Sequence, residues 1–314
     1  MAFDLLQDFW RSLTKIDVAG VDVDRLDRDY IDAEIRERLT RALETIEGSV
    51  TKYDFSWLQK KANAAVRPDE FCITLDHGVY FNQADFHLDV SRTASTLRRT
   101  GSQHLTRQPR ELLDMPSQLA ALSSTLITSR KKRVVVADDG LATGQTLSMV
   151  IQRCRDYEID VRRAVVCCNN TELTQIADSV RITSVVRRSP GRPWLNERDL
   201  YWGLPRSGLT LAAKRKASRS YGIPFSLFSR LVLQRIGIED EADEFRIACL
   251  RANRTLWGLF EEAAGHPLFF EDCAPLRFFP DVVGYRDKRV IDFLTEMIDG
   301  VVDADDLDET VTEL

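Results

Sequence analysis

Residues 134–146 read Val-Val-Val-Ala-Asp-Asp-Gly-Leu-Ala-Thr-Gly-Gln-Thr: an apolar run, two adjacent carboxylates, and a small-residue loop closed by Gly144 and Thr146. Three consecutive β-branched residues, Val134, Val135 and Val136, are the pattern of a parallel strand buried on both faces. Gly140 and Gly144 allow a tight turn and a close approach of the backbone to a ligand. Beyond Gly144 the period changes, and Leu147, Val150, Ile151 and Cys154 fall on one face of a helix beginning near Gln145 or Thr146. A loop from a strand's carboxyl end to a helix N-terminus carries free N–H groups and the positive end of the helix dipole, which suits phosphate. Asp138 and Asp139, just before it, would repel phosphate. Carboxylates in that place suit sugar hydroxyls, with a divalent cation able to share the ligand. The pattern therefore predicts a sugar phosphate held at both ends.

Outward from this strand the chain alternates between strand and helix. Residues 71–75 and 79–81 read as short strands around an Asp76-His77-Gly78 turn, and 116–130 as a helix with Leu119, Leu122, Leu126 and Ile127 inward. Residues 164–168 read as the next strand, 171–178 as a short helix and 182–186 as a further strand. Such alternation predicts an α/β fold, a parallel sheet with helices on both sides and ligands outside the carboxyl ends of its strands. The flanks read as helical. Tyr30, Ile31, Ile35, Leu39, Leu43 and Ile46 share one face and Gly48 is a stop; Phe245, Cys249, Ala252, Leu256, Leu259 and Phe260 share another. A last helix is expected over 290–299, then an acidic tail from Asp303 to Glu309. The expected organisation is a helical cap over 1–65, an α/β core over 66–235 and a C-terminal helical region over 236–314.

Residues 134–146 resemble the 5-phosphoribosyl 1-diphosphate (PRPP) loop of the type I phosphoribosyltransferases: hydrophobic strand, two acidic residues, then small-Thr-Gly-x-Thr. The resemblance implies that the α/β core is a type I phosphoribosyltransferase-like parallel sheet with helical N- and C-terminal additions. It implies that Asp138 and Asp139 are the catalytic acidic pair on the ribose hydroxyls, and that the loop from Gly140 through Leu141, Ala142, Thr143, Gly144 and Gln145 to Thr146 holds the 5-phosphate. It also implies Mg²⁺ beside the pyrophosphate and ribose oxygens, and a homo-oligomer. Ala137 stands where a bulkier apolar residue is usual. Ala142 stands where relatives acting on 6-oxopurines carry Asp, so an acceptor of that class is disfavoured and the acceptor is otherwise unidentified.

Such enzymes need a second loop for the departing pyrophosphate. Residues 200–204 read as an apolar strand, Arg206, Ser207 and Gly208 as a donor-rich turn, and 209–214 as a helix. This resembles the family's pyrophosphate loop, although in most members that loop precedes the PRPP loop. The upstream Asp76-His77-Gly78 turn is the rival, and a third possibility is neither. Arg187, Arg188, Arg192 and Arg198 lie in a Pro- and Gly-broken loop able to meet a polyphosphate or an acidic partner. Arg92, Arg98, Arg99, Arg107 and Arg110 occupy the place of the family's mobile loop.

Composition bounds these readings. A chain of 314 residues with 44% hydrophobic residues can fill a sizeable core, so global disorder is excluded. A net charge of −6 argues against general nucleic-acid binding, while the basic loops and helical ends keep a protein or nucleic-acid partner open. No apolar run approaches the roughly 18 residues of a membrane span. The six cysteines lack CxxC spacing and Asp4 and Asp8 interrupt the first apolar residues, which predicts reduced thiols in the cytoplasm. His77, His87, His104 and His266 are too scattered to suggest zinc. Two functions are expected from different classes: transfer of phosphoribosyl from PRPP to a nitrogen acceptor, or non-catalytic PRPP or nucleotide sensing by a regulatory or effector protein.

Overall fold

The computed structural model describes residues 2–76, 78–88, 90–94, 105–108, 115–141, 143–177, 179–188, 190, 192–204, 209–212, 220–223, 242–273, 276 and 287–300. Contacts divide the chain into two compact units: 53–91 with 106–194, and 1–52 with 92–105 and 195–314. The sequence pattern sets boundaries at 65/66 and 235/236, whereas the units change along the chain at 52/53, 91/92, 105/106 and 194/195. The acidic tail lies outside the described residues.

The first unit is α/β. Helix α1 (Phe55–Ala65) precedes strands β1 (Glu70–Thr74) and β2 (Phe86–His87). Helix α2 (Met115–Thr128) leads to β3 (Arg133–Leu141), helix α3 (Gln145–Asp156), β4 (Val161–Asn169), β5 (Gln175–Ile176) and β6 (Val180–Arg187). The sheet order is β2-β1-β3-β4-β6-β5. All neighbours are parallel except the β5–β6 pair. β1, β3 and β4 form the middle and are buried almost throughout, which explains their unbroken apolar runs. Val134, Val136, Ala164 and Val166 pack with Leu119, Leu122, Leu147, Val150, Ile151 and Cys154 of α2 and α3. The alternate residues Val135, Ala137, Val165 and Cys167 are equally buried, and α1 lies against β4 and β6.

Three details differ from the sequence pattern. Residues 79–81 form no strand, because the amides of Tyr80 and Phe81 donate to the Asp76 carboxylate (2.6 and 3.2 Å). Residues 171–178 contain the short antiparallel strand β5 where a helix was expected. Ile127, expected inward, is 78% exposed at the end of α2.

At the amino end of the sheet Arg163 makes a bidentate pair with Glu70, Nε to Oε1 at 3.0 Å and Nη2 to Oε2 at 2.5 Å. Burial favours the protonated form of Glu70, but hydrogen bonds from Arg163 and the Arg67 amide, with the charges of both arginines, outweigh it and hold the carboxyl below its usual value of 4.5. The pair therefore stabilises fully above about pH 4.5 and loses its contribution as pH falls through the lowered folded value. Urea denaturation of wild type and Glu70→Gln from about pH 6 to about pH 3 is expected to show their difference shrinking with acid. A constant difference would refute this assignment.

The second unit joins both flanks of the sequence. Ala2–Gln7 is the middle of a three-stranded sheet. Ile31, Ile35, Leu39 and Leu43 are buried along the segment up to Gly48, whose φ of +78° ends the helix as expected, while Tyr30 is 42% exposed. These residues share a core with Phe3, Phe9, Phe245, Leu256, Trp257 and Phe260, and with Phe293 of the Val290–Ile298 helix. Residues 200–204, read as a strand, instead close a short 3-10 turn (Glu197–Leu200), and Tyr201 and Trp202 are fully buried. Asn253 holds them: its Oδ1 accepts from the Trp202 amide, and its Nδ2 donates to the carbonyls of Leu200 and Cys249 (both 2.8 Å). The expected helix over 209–214 is replaced by a strand, Leu209–Ala212, antiparallel to Ser220–Ile223.

Candidate functional site

The carboxyl ends of β1, β3 and β4 bring together most of the polar residues buried in the α/β unit. Asp138 and Asp139 are 2% and 3% exposed, and the Asp139 amide donates to Asp138 Oδ1 at 3.0 Å. They do not end the strand. β3 continues through Gly140 and Leu141, paired with Cys168 and Asn169 of β4, so the connection to α3 is shorter than the expected seven-residue loop. Ala142 lies outside the described residues. Thr143 is exposed and its Oγ1 accepts from the Gln145 amide at 3.4 Å. Gly144, at φ +77°, is the N-cap of α3 and brings no side-chain cap, and Gln145 and Thr146 form the first turn, as the sequence predicts. The left-handed φ favours glycine at 144, and a Cβ there would lie 3.0 Å from Cδ1 of Ile176 and 3.3 Å from Cδ1 of Leu173, so those side-chain ends would also have to shift.

Gly140 has a different reason from the one expected. Its backbone is extended within β3, and a Cβ there would stand 2.2 Å from Cζ2 of Trp194. The close approach is by an indole. Gly140→Ala is expected to cost about 1–3 kcal/mol through overpacking, and nearly nothing in a Trp194→Ala background. Urea denaturation of the four proteins in that cycle checks it, and an undiminished cost without the indole would refute the packing argument.

Asp76 follows β1 and is 4% exposed. Its Oδ1 accepts from the Gly78 amide at 2.8 Å and from the Thr74 hydroxyl, and its Oδ2 from Tyr80 and Phe81. The upstream turn thus turns its amides inward onto its own carboxylate, and those donors are not presented to a pyrophosphate. Nδ2 of Asn63 and Nε2 of Gln59, both on α1, fix the same segment through the carbonyls of Tyr80 and Val79.

On β4, Cys167 sits between the register pairs Asp138–Val166 and Gly140–Cys168, level with Asp139. Burial, together with the charges of Asp76, Asp139 and Asp138, pushes its thiol well above the usual range, which disfavours the thiolate. Cys72 and Cys154 are pushed up to about 12 by burial, and all six cysteines are buried and free. Beyond Cys168 the sequence reading missed two asparagines. Asn169 Oδ1 accepts from the amide and hydroxyl of Thr171, and Asn170 Nδ2 donates to the carbonyl of Arg192. Their signal was position alone: polar residues directly after a buried parallel strand.

Of the cationic stretch, Arg187 and Arg188 are exposed. Arg188 Nε donates to the Tyr53 hydroxyl at 2.6 Å and the guanidinium lies over that ring at 5.5 Å. Arg198 does not belong with them, since it is buried in the second unit against Asp8. The downstream pyrophosphate candidates Arg206, Ser207 and Gly208 lie outside the described residues, as do most of the arginines between 98 and 110. Among the described residues no group of three or more acidic, histidine or cysteine side chains is arranged to hold a metal ion by itself, and no helix is long and apolar enough to cross a membrane. Comparison with known proteins yields no match, whether to family models, to curated proteins or to solved structures.

Proposed function

We propose that the carboxyl edge of this sheet binds PRPP and that the protein transfers its 5-phosphoribosyl group to a nitrogen acceptor, releasing pyrophosphate. One observation carries the reading: two buried, adjacent carboxylates lie on a central parallel strand, and a helix begins six residues after the second, behind a left-handed N-cap glycine. Such an edge is where ligands of open α/β sheets sit. The first-turn amides of α3, with the helix dipole, suit the 5-phosphate, and Asp138 and Asp139 suit the 2- and 3-hydroxyls.

In this reaction the bond from C1 of ribose to the pyrophosphate oxygen breaks, and the pyrophosphate departs with the electron pair. A bond from C1 to the acceptor nitrogen forms, and that nitrogen gives up its proton. The ring passes through oxocarbenium character, so fixing both ends of the sugar places C1 for attack, and the two carboxylates favour developing positive charge nearby. Mg²⁺ fits the donor chemistry present, because it is commonly held by one or two carboxylates plus substrate oxygens rather than by an all-protein cage. Asp138 and Asp139 would hold it, and it would neutralise charge on the pyrophosphate. Buried free thiols accord with a reducing, cytoplasmic setting.

The test is calorimetric titration of the full chain with PRPP and Mg²⁺, followed by pyrophosphate release across a panel of nucleobases. Saturable binding with release from at least one acceptor is expected. Failure to bind would sink the site assignment, and binding without release from any acceptor would replace the transferase by a PRPP sensor on the same residues.

A further inference from the structure

The opposite edge of the α/β sheet gathers cations. Because β1, β3 and β4 are parallel neighbours, the residues leading into all three arrive on one side, with Glu70 level with Arg133 and Val135 level with Arg163. Arg67, Glu70, Lys132, Arg133, Asp160, Arg162 and Arg163 line a half-open cleft there of about 440 Å³.

Its floor is fixed. Arg163 is held by Glu70, donates from Nη1 to Thr183 Oγ1 at 3.0 Å and from Nη2 to the Ala65 carbonyl at 2.8 Å, and Glu70 Oε2 also accepts from the Arg67 amide at 2.8 Å. The rim is adjustable: Arg67, Lys132, Arg133 and Arg162 are exposed. Arg162 pairs with Asp160 and Arg133 with Asp69. Lys132 Nζ donates to the Leu126 carbonyl at 3.1 Å. Among the described residues neither Lys132 nor the Arg67 side chain has a carboxylate within ion-pair distance. With Asp69, the partner of Arg133, counted beside Glu70 and Asp160, five cations face three carboxylates, a surplus of two positive charges in a chain whose net charge is −6.

We propose that this cleft is a second ligand site, which binds a small, multiply charged phosphoryl anion, the size of pyrophosphate to a mononucleotide. The volume is that of a small-ligand pocket rather than of an extended surface. The surplus needs a ligand of two or more negative charges. Arg67 and Lys132, with Arg133 and Arg162 whose ion pairs are solvent-exposed and exchangeable, can present N–H donors to the tetrahedral oxygens of a phosphoryl group, while Arg163 fixes the floor. The site stands independently of PRPP binding, because its residues lie at the ends of the strands opposite to Asp138 and Asp139.

The experiment titrates the full chain at low salt with sodium pyrophosphate and, separately, with adenosine 5′-monophosphate, by calorimetry with hydrogen-exchange mapping. Binding of either probe that protects 67–70, 132–134 and 160–163 supports the site, pyrophosphate alone marking an inorganic source and the monophosphate a nucleotide one. Arg67→Gln/Lys132→Gln is expected to weaken that binding by about tenfold or more with an unchanged melting temperature, and Asp138→Asn/Asp139→Asn to leave that protection in place. Binding of neither probe, protection confined to 143–148, or unchanged affinity in the Arg67→Gln/Lys132→Gln protein would overturn it. Tighter binding of a single-stranded oligonucleotide to the same residues, with a steep salt dependence, would overturn it in favour of a nucleic-acid surface.

Discussion

Asp138→Asn/Asp139→Asn is expected to bind PRPP about thirty- to a hundredfold more weakly than wild type while melting within a few degrees of it. Both side chains are buried near the carboxyl end of β3, so on the proposed reading each hydrogen bond they accept from a ribose hydroxyl is charge-assisted and shielded from water. Such a bond contributes about 1.5–3 kcal/mol. Asparagine leaves a neutral bond of about 0.5–1.5 kcal/mol in place of each, so the two together lose about 2–3 kcal/mol, or roughly one and a half to two decades of affinity at about 1.4 kcal/mol per decade. Asparagine keeps the shape, and at position 138 its Oδ1 can still accept from the backbone amide of residue 139. The fold should therefore survive, and a loss of binding would report on the ligand. Calorimetry with PRPP and Mg²⁺, beside a thermal melt by circular dichroism, decides it. Wild-type affinity in the double variant would remove these carboxylates from the site.

The second large effect is structural. Asp8→Ala is expected to destabilise the protein by about 3–5 kcal/mol. The Asp8 side chain is fully buried; it accepts from the Arg198 amide at 3.0 Å and pairs with the guanidinium, which is itself 6% exposed. Truncating the carboxylate strands a cation away from water, and that desolvation exceeds the value of the pair itself. Removing both charges together, as Asp8→Leu/Arg198→Met, is expected to recover much of the loss, because the buried charge disappears with its partner. Urea denaturation of wild type, Asp8→Leu, Arg198→Met and the double variant provides the cycle. A double variant as unstable as the sum of the singles would show that the cost lies in packing rather than in the unpaired charge.

Much of the site was legible because its signals are local. Val134 to Val136 could hardly be other than a strand buried on both faces, and the spacing from Leu147 to Cys154 gave α3 its face and, within a residue, its start. The continuation of β3 through Asp139, Gly140 and Leu141 was not legible, since polar and small residues normally mark the end of a strand; it depends on pairing with Cys168 and Asn169, 28 residues later. The reason for Gly140 was equally remote, in an indole 54 positions away. Tyr201 and Trp202 have strand propensity, but their backbone was claimed by Asn253, a long-range partner that periodicity cannot see. Arg198 read as one more cation of an exposed loop because nothing near it in sequence announces Asp8.

The shared core of the two flanks carries a consequence for how the protein is made. Phe3 and Phe9 are synthesised well over two hundred residues before Phe245, Trp257 and Phe293, which help to cover them. The α/β unit, by contrast, is complete in sequence by Trp194. At about 5–20 residues per second, residues 2–47 wait many seconds for these partners, while every strand of the sheet that bears Asp138 and Asp139 has by then been synthesised. A nascent chain stalled before residue 242 would lack the side chains that cover Phe3 and Phe9, and that uncovered apolar surface is where a chaperone is expected to bind.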